Sequence, residues 1–148
     1  MNKKKNTEEL LSEVYKNVTM GSENLGNMVP MIKDRFMMTN VTCQMEKYSS
    51  FTRQADSLLK RQAVKPEKLS PMKKAMARAG ASLNTLFDSS DGHIADMIVK
   101  GTKMGADSLE RTLCRIEEQG AEEDAVALAR AVVAFEREES EKMKDFGH

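Results

Sequence analysis

The sequence predicts an all-α fold, an antiparallel bundle of four long helices with a short crossover helix between the second and third. Three observations predict it. The chain is 40% hydrophobic and 31% charged but only 5% aromatic, with no Trp, a profile of helix formers closing a narrow aliphatic core. Apolar residues recur at alternating spacings of three and four along four long stretches. Prolines and a glycine, Pro30, Pro66, Pro71 and Gly120, interrupt that period where helices have to end. With 148 residues the chain is one domain, 1–148, with a real core.

The first helical segment opens at "NTEE", where Asn6 caps and Glu9 follows three residues on in a capping-box pattern. Residues 1–6 are therefore expected to be flexible. Leu11, Val14, Val18, Gly21, Leu25, Met28 and Ile32 form its seam, and Pro30 kinks or stops it. Asp34 caps a second helix running to about Gln62, with Met38, Val41, Met45, Tyr48, Thr52, Ala55 and Leu59 inward. "AVKPEKLSP" breaks the period and makes 63–70 a linker. Ser70-Pro71 is a cap with proline in the first turn, starting a crossover helix over 71–87.

A long helix follows from about Asp91 to Gln119, with Ile94, Met97, Gly101, Met104, Gly105, Ser108, Thr112 and Ile116 inward. Gly120 ends it. The last helix runs from about Ala121 to Phe146, with a stripe of Ala125, Ala129, Val132, Val133 and Met143. Tight turns near Lys33 and Gly120 imply two antiparallel hairpins, and the crossover joins them. That connectivity is the ferritin-like topology.

The phrases "NTLFDSSDGHIADMIVKGTKMG" and "FEREESEKMKDF" strengthen the likeness: from about Thr7 to Phe146 the chain resembles a bacterial family of four-helix bundles of unknown function within the ferritin-like superfamily. Di-iron members of that superfamily carry a Glu on each of two helices and Glu-x-x-His on the other two. This chain has no Glu-x-x-His. Ser49 follows Glu46 by three, and Glu139 stands where His would follow Glu136. The resemblance therefore implies the fold without the di-iron centre.

Glu136 and Glu139 are the anomaly of the last helix, because they fall in the middle of its apolar stripe. Buried carboxylates are costly unless paired, protonated or metal-bound. Three readings stand: a polar layer inside the bundle, a divalent-metal site on Glu136 and Glu139, or partial exposure of the pair at a dimer interface. For the layer, Tyr48 is the expected donor to Glu136, with Gln44, Asn17, Ser108 and Thr112 as lesser candidates. Met104 is expected at the same level. Two carboxylates without imidazole hold transition metals weakly, and Ca²⁺ or Mg²⁺ needs more oxygens.

The stretch "DSSDGHIADM" gathers Asp88, Asp91, His93 and Asp96, which fits a metal site or a helix start. Ser89 or Ser90 as cap, and Asp91 in the first turn against the helix dipole, favour the start. The twelve Met fall largely on the seams as core filling. Gly21, Gly101 and Gly105 on inner faces allow close helix approach or leave a small cavity.

Cys43 and Cys114 lack CxxC or Cys/His spacing and are expected to be buried thiols in a reducing compartment. Lys+Arg and Asp+Glu balance at 23 each, which argues against a nucleic-acid partner. No window reaches ~18 apolar residues, so no membrane span is expected. No GxSxG, HExxH or phosphate loop occurs.

The expected role is thus a non-enzymatic, cytoplasmic binding or interaction module with no cofactor. Val99, Ala106 and Leu113, on the outer side of the fourth helical segment, are expected to pack on the short crossover helix or on a second copy in a homodimer. The alternatives are a metal-binding or redox protein using Glu136 and Glu139, and a small apolar-ligand binder using a cavity beside Gly101 and Gly105.

Overall fold

The computed structural model describes residues 2–64 and 90–147. Among them stand four long helices and no strand: α1 (Lys3–Met28), α2 (Arg35–Arg61), α3 (Asp91–Gln119) and α4 (Glu123–Met143). They form a helical bundle in which α1 and α4 each pack against the other three helices. The expected linker 63–70 lies mostly, and the crossover helix 71–87 wholly, outside the described residues. No described helix is long and apolar enough to cross a membrane.

Helix α1 starts earlier than expected. Asn2, not Asn6, is the cap, accepting from the Lys5 N–H at 3.1 Å, so the segment expected to be flexible is helical from Lys3. Asn6 has another use: its amide donates to the Gly120 carbonyl at 2.9 Å. Thr7 beside it accepts from the Glu122 N–H at 2.9 Å. Both hold the turn between α3 and α4 against α1. Pro30 sits in a 3-10 turn, Val29–Met31, that ends α1.

Asp34 caps α2 as expected, accepting from the Met37 N–H at 2.8 Å. Ser90 caps α3, accepting from the His93 N–H at 3.3 Å. Asp91 reaches further than a first-turn charge: its two carboxylate oxygens accept from the Lys33 and Asp34 N–H groups at 2.9 and 2.8 Å. Each tight turn of the bundle is therefore held by side chains from a helix outside it. Helix α4 gives way to a second 3-10 turn, Lys144–Phe146.

The core is aliphatic, with Leu10, Val14, Val18, Met37, Val41, Ile94, Leu109, Ile116, Val132 and Met143 buried. Each such side chain removed from water stabilises the fold by about 1.5–3 kcal/mol. In α2 the buried line is Met37, Val41, Gln44, Tyr48, Phe51, Ala55 and Leu59. Met38, Met45 and Thr52, expected inward, are half-buried at its edge.

Helix α3 differs most from expectation. Of its expected seam only Ile94 and Ile116 are buried, while Gly101, Met104 and Ser108 are exposed, Met104 by 62%. The buried face is Ile94, Ala95, Ile98, Thr102, Ala106, Leu109, Leu113 and Ile116. The helix is rotated by less than one residue step, because the branched residues Ile98, Leu109 and Leu113 fill the core better than Gly101 and Ser108. Ala106 and Leu113, expected on an outer dimer face, are core residues. Cys43 and Cys114 are both free and exposed, contrary to the expected burial, since each falls on the polar flank of its helix.

Two glycines should respond oppositely to alanine. Gly120 ends α3 at φ 95, a conformation that side chains with a Cβ resist, so Gly120→Ala should cost about 1–3 kcal/mol. Gly101 lies mid-helix with nothing within 4 Å of an added Cβ, so Gly101→Ala should gain about 1 kcal/mol. Urea denaturation of both variants gives the two signs directly.

Candidate functional site

Glu136 is 2% exposed, on the inward face of α4. A carboxylate there has lost its water and must find donors. The Tyr48 hydroxyl, from α2, donates to Oε2 at 2.8 Å. The Asn17 amide, from α1, donates to Oε1 at 2.9 Å and to the Gly105 carbonyl of α3 at 3.0 Å. One connected hydrogen-bond set thus touches all four helices.

Two glycines make room for it. A Cβ on Gly21 would meet Tyr48 ring carbons at 2.7–3.0 Å, so the phenol lies against bare α1 backbone. A Cβ on Gly105 would come within 3.2 Å of the Asn17 amide nitrogen and 3.3 Å of Glu136 Oε2, closer than most such contacts allow. Phe135 fixes the tyrosine from its other side, edge-on at 5.2 Å between centroids, and itself meets Phe51 at 5.5 Å.

Burial pushes the Glu136 carboxyl from 4.5 up to about 7, against the opposing pull of the Tyr48 and Asn17 hydrogen bonds and the Arg137 charge. Burial, and then the neighbouring Glu136 carboxylate, hold the Tyr48 hydroxyl well above its usual range, so it remains a donor.

Of the expected polar-layer residues, Tyr48 and Asn17 meet Glu136. Gln44 does not: it is buried, but its amide donates to Asn40 at 2.7 Å within α2. Ser108 is exposed, Thr112 donates back to the Ser108 carbonyl at 3.4 Å, and Met104 lies on the surface rather than level with Glu136 inside. Glu139 is half-buried. Its Oε1 stands 3.6 Å from Lys142 Nζ, and its buried Oε2 has no hydrogen-bond partner. Among the described residues no group of three or more His, Cys, Asp or Glu side chains is arranged to hold a metal ion. His93 belongs to the start of α3. Asp88, the fourth acid or imidazole of that stretch, lies outside the described residues.

A cavity of about 200 Å³ adjoins the cluster, lined by Asn17, Gly21, Asn24, Tyr48, Gly105 and Glu136 and by the apolar Met20, Leu25, Met28, Met97 and Ile98. Gly101 and Thr102 complete the lining, and the exposure of Gly101 puts it where the cavity meets the surface. The glycines are legible in the sequence as a cavity edge, whereas Met20, Asn24 and Thr102 are not among the residues it singles out. The signal was present in Asn17, Gly21 and Asn24, which stand one helical turn apart on α1, facing Gly101 and Gly105, one turn apart on α3.

No protein-family model matches the chain, and neither a curated protein nor a solved structure matches it.

The raised Glu136 pKa has a consequence for stability. The native state keeps this proton up to about pH 7, while the unfolded chain releases it near 4.5. The protonated carboxyl's contribution is therefore complete below 4.5 and is lost as pH rises towards and through 7. At about 1.4 kcal/mol per tenfold change in proton affinity, the loss is on the order of 3 kcal/mol. Urea denaturation between pH 4.5 and 8 should show this decline in the wild type and a flatter profile in Glu136→Gln. In Tyr48→Phe, which removes a donor to the carboxylate, the added cost should be about 1–3 kcal/mol and larger at pH 8 than at pH 5.

Proposed function

We propose that this chain is a small-molecule binding module rather than an enzyme, built as a ferritin-like antiparallel four-helix bundle without a di-iron centre. The observation that carries the reading is the 200 Å³ cavity that runs beside Glu136, Tyr48 and Asn17. Its walls are mostly apolar with a few convergent polar groups, the usual character of a ligand site, at a size below that of drug-sized pockets. By liquid density it holds roughly six or seven waters, so its ligand is small.

The contacts of Asn6 with Gly120 and of Lys33 with Asp91 support the antiparallel order, since they pair each end of α1 with the opposite end of α3. The connection through residues 65–89 is where a ferritin-like crossover would run. The carboxylate arrangement weighs against the metal-binding alternative. Both Glu136 oxygens accept protein hydrogen bonds, and Glu139 pairs with Lys142 rather than with Glu136. A homodimer, the other partner expected, would need a surface other than Ala106 and Leu113.

Gly101→Leu provides the test, because an added Cβ there meets nothing within 4 Å and the side chain occupies the edge of the cavity. A ligand-observed NMR screen of neutral and charged fragments should find binders to the wild type that Gly101→Leu loses while remaining folded. Binders that Gly101→Leu retains, or none at all, would defeat the reading. Stoichiometric uptake of Mn²⁺, Fe²⁺ or Zn²⁺, lost in Glu136→Gln/Glu139→Gln, would replace it with the metal-binding one.

A further inference from the structure

The cavity has an unequal stock of hydrogen-bonding groups. Its donors are nearly all engaged within the protein. The Tyr48 hydroxyl donates to Glu136 at 2.8 Å, and the Thr102 hydroxyl to the Ile98 carbonyl at 2.6 Å. The two hydrogens of the Asn17 amide go to Glu136 and to Gly105. The Asn24 amide is the one lining donor group outside these bonds. Acceptors, by contrast, are left over. Asn17 Oδ1 and Asn24 Oδ1 are buried without a partner, and each Glu136 oxygen, engaged once, retains a second lone pair.

The orientation of Asn17 follows from its neighbours, since the Gly105 carbonyl and the Glu136 carboxylate both demand a donor. A ligand that supplies hydrogens here meets acceptors that the protein's own donors leave open.

The charge pattern points the same way. Glu136 is the sole carboxylic acid among the lining residues, and no Lys, Arg or His lines the cavity. An anionic ligand would meet a carboxylate and no cation. The remaining walls, Met20, Met28, Met97 and Leu25, are flexible and apolar, with polarisable thioethers suited to an alkyl chain of variable shape. An inorganic divalent cation would find too few oxygens and would leave those apolar walls unmatched.

Resting on the reading of the cavity as a ligand site, we propose that its ligand is a small primary amine bound as the ammonium. Its –NH₃⁺ group lies between Glu136 and the free Oδ1 atoms of Asn17 and Asn24, and its short apolar chain lies along the methionines. Its hydrogens meet the excess of acceptors that α1 and α4 supply to the cavity. The ammonium also offsets the cost of holding the Glu136 carboxylate out of water.

Three probes of matched length test this: n-butylammonium chloride, n-butanol and sodium butyrate, titrated calorimetrically and by ¹H–¹⁵N NMR at pH 7.5. Butylammonium should bind saturably, about tenfold or more tighter than butanol, as a charge-assisted hydrogen bond provides, and butyrate should not bind. Glu136→Gln, with its fold checked by circular dichroism, should lose about that tenfold for butylammonium and leave butanol within about threefold. Asn24→Leu, which removes an acceptor without touching the Tyr48–Glu136 bond, should weaken butylammonium alone. Butanol binding as well as butylammonium, or butylammonium binding unchanged in both variants, overturns the ammonium assignment and leaves the cavity reading intact. If none of the three probes shifts the resonances of Gly101, Gly105 or Asn24, the cavity reading falls with it.

Discussion

A carboxylate buried at the centre of a helical bundle constrains everything around it. Glu136 requires donors at both oxygens, and these come from two different helices, Tyr48 of α2 and Asn17 of α1. Asn17 in turn is tied to the α3 backbone at Gly105. The rotation and axial position of all four helices are therefore set by one small group of bonds. An aliphatic core tolerates sliding and repacking, whereas a hydrogen bond of 2.8 Å does not. The glycines follow from the same constraint, since Gly21 and Gly105 are where bare backbone lets the phenol and the carboxylate approach. At the two ends of the bundle, Asp91 and the pair Asn6 and Thr7 repeat the device on a smaller scale, each fixing a turn from outside it.

The cavity is the other face of this arrangement. Helices α1 and α3 meet closely at Gly105 but leave space around Gly101, where α3 carries no side chain and α1 presents Asn17 and Asn24. A bundle built for stability alone would fill that space with a leucine, as it does along the rest of the core. Keeping a buried acid, two amide oxygens without a protein donor and a cavity together has an energetic cost, which the proposed ligand would offset. That combination is the ground for proposing a ligand site here in place of a polar layer that only fixes helix register.

Much of the fold was legible because helix-forming period and capping chemistry are local. Asp34, Ser90 and Gly120 mark element ends as their types require, and the seams of α1 and α4 carry one dominant apolar stripe each. Helix α3 was misread because it carries two adjacent stripes. Met97, Gly101 and Met104 compete with Ile98, Leu109 and Leu113, and only packing against α1 and α4 decides between them. The same rotation explains why Ala106 and Leu113 were assigned to the surface. The start of α1 was misplaced because two asparagines, Asn2 and Asn6, can each cap, and Asn6 is held by a turn 114 residues away in sequence. At the site, Glu136 stood out as an acid on an apolar stripe, and Tyr48 and Asn17 followed from helix level. The Gln44 bond to Asn40 is a local pair four residues apart on α2, legible from spacing, and it takes the amide that the sequence assigns to Glu136.

The central claim is that Glu136 is held out of water by its fold and bonded to Tyr48. The most direct measurement is a ¹³C NMR titration of the Glu136 side-chain carboxyl in the wild-type protein. The account predicts a midpoint near 7, well above the ordinary 4.5 of a glutamate, and a further upward move in Tyr48→Phe. A midpoint near 4.5, unmoved by that substitution, would mean that the carboxylate is hydrated and the Tyr48 bond absent, and would contradict the account at its root.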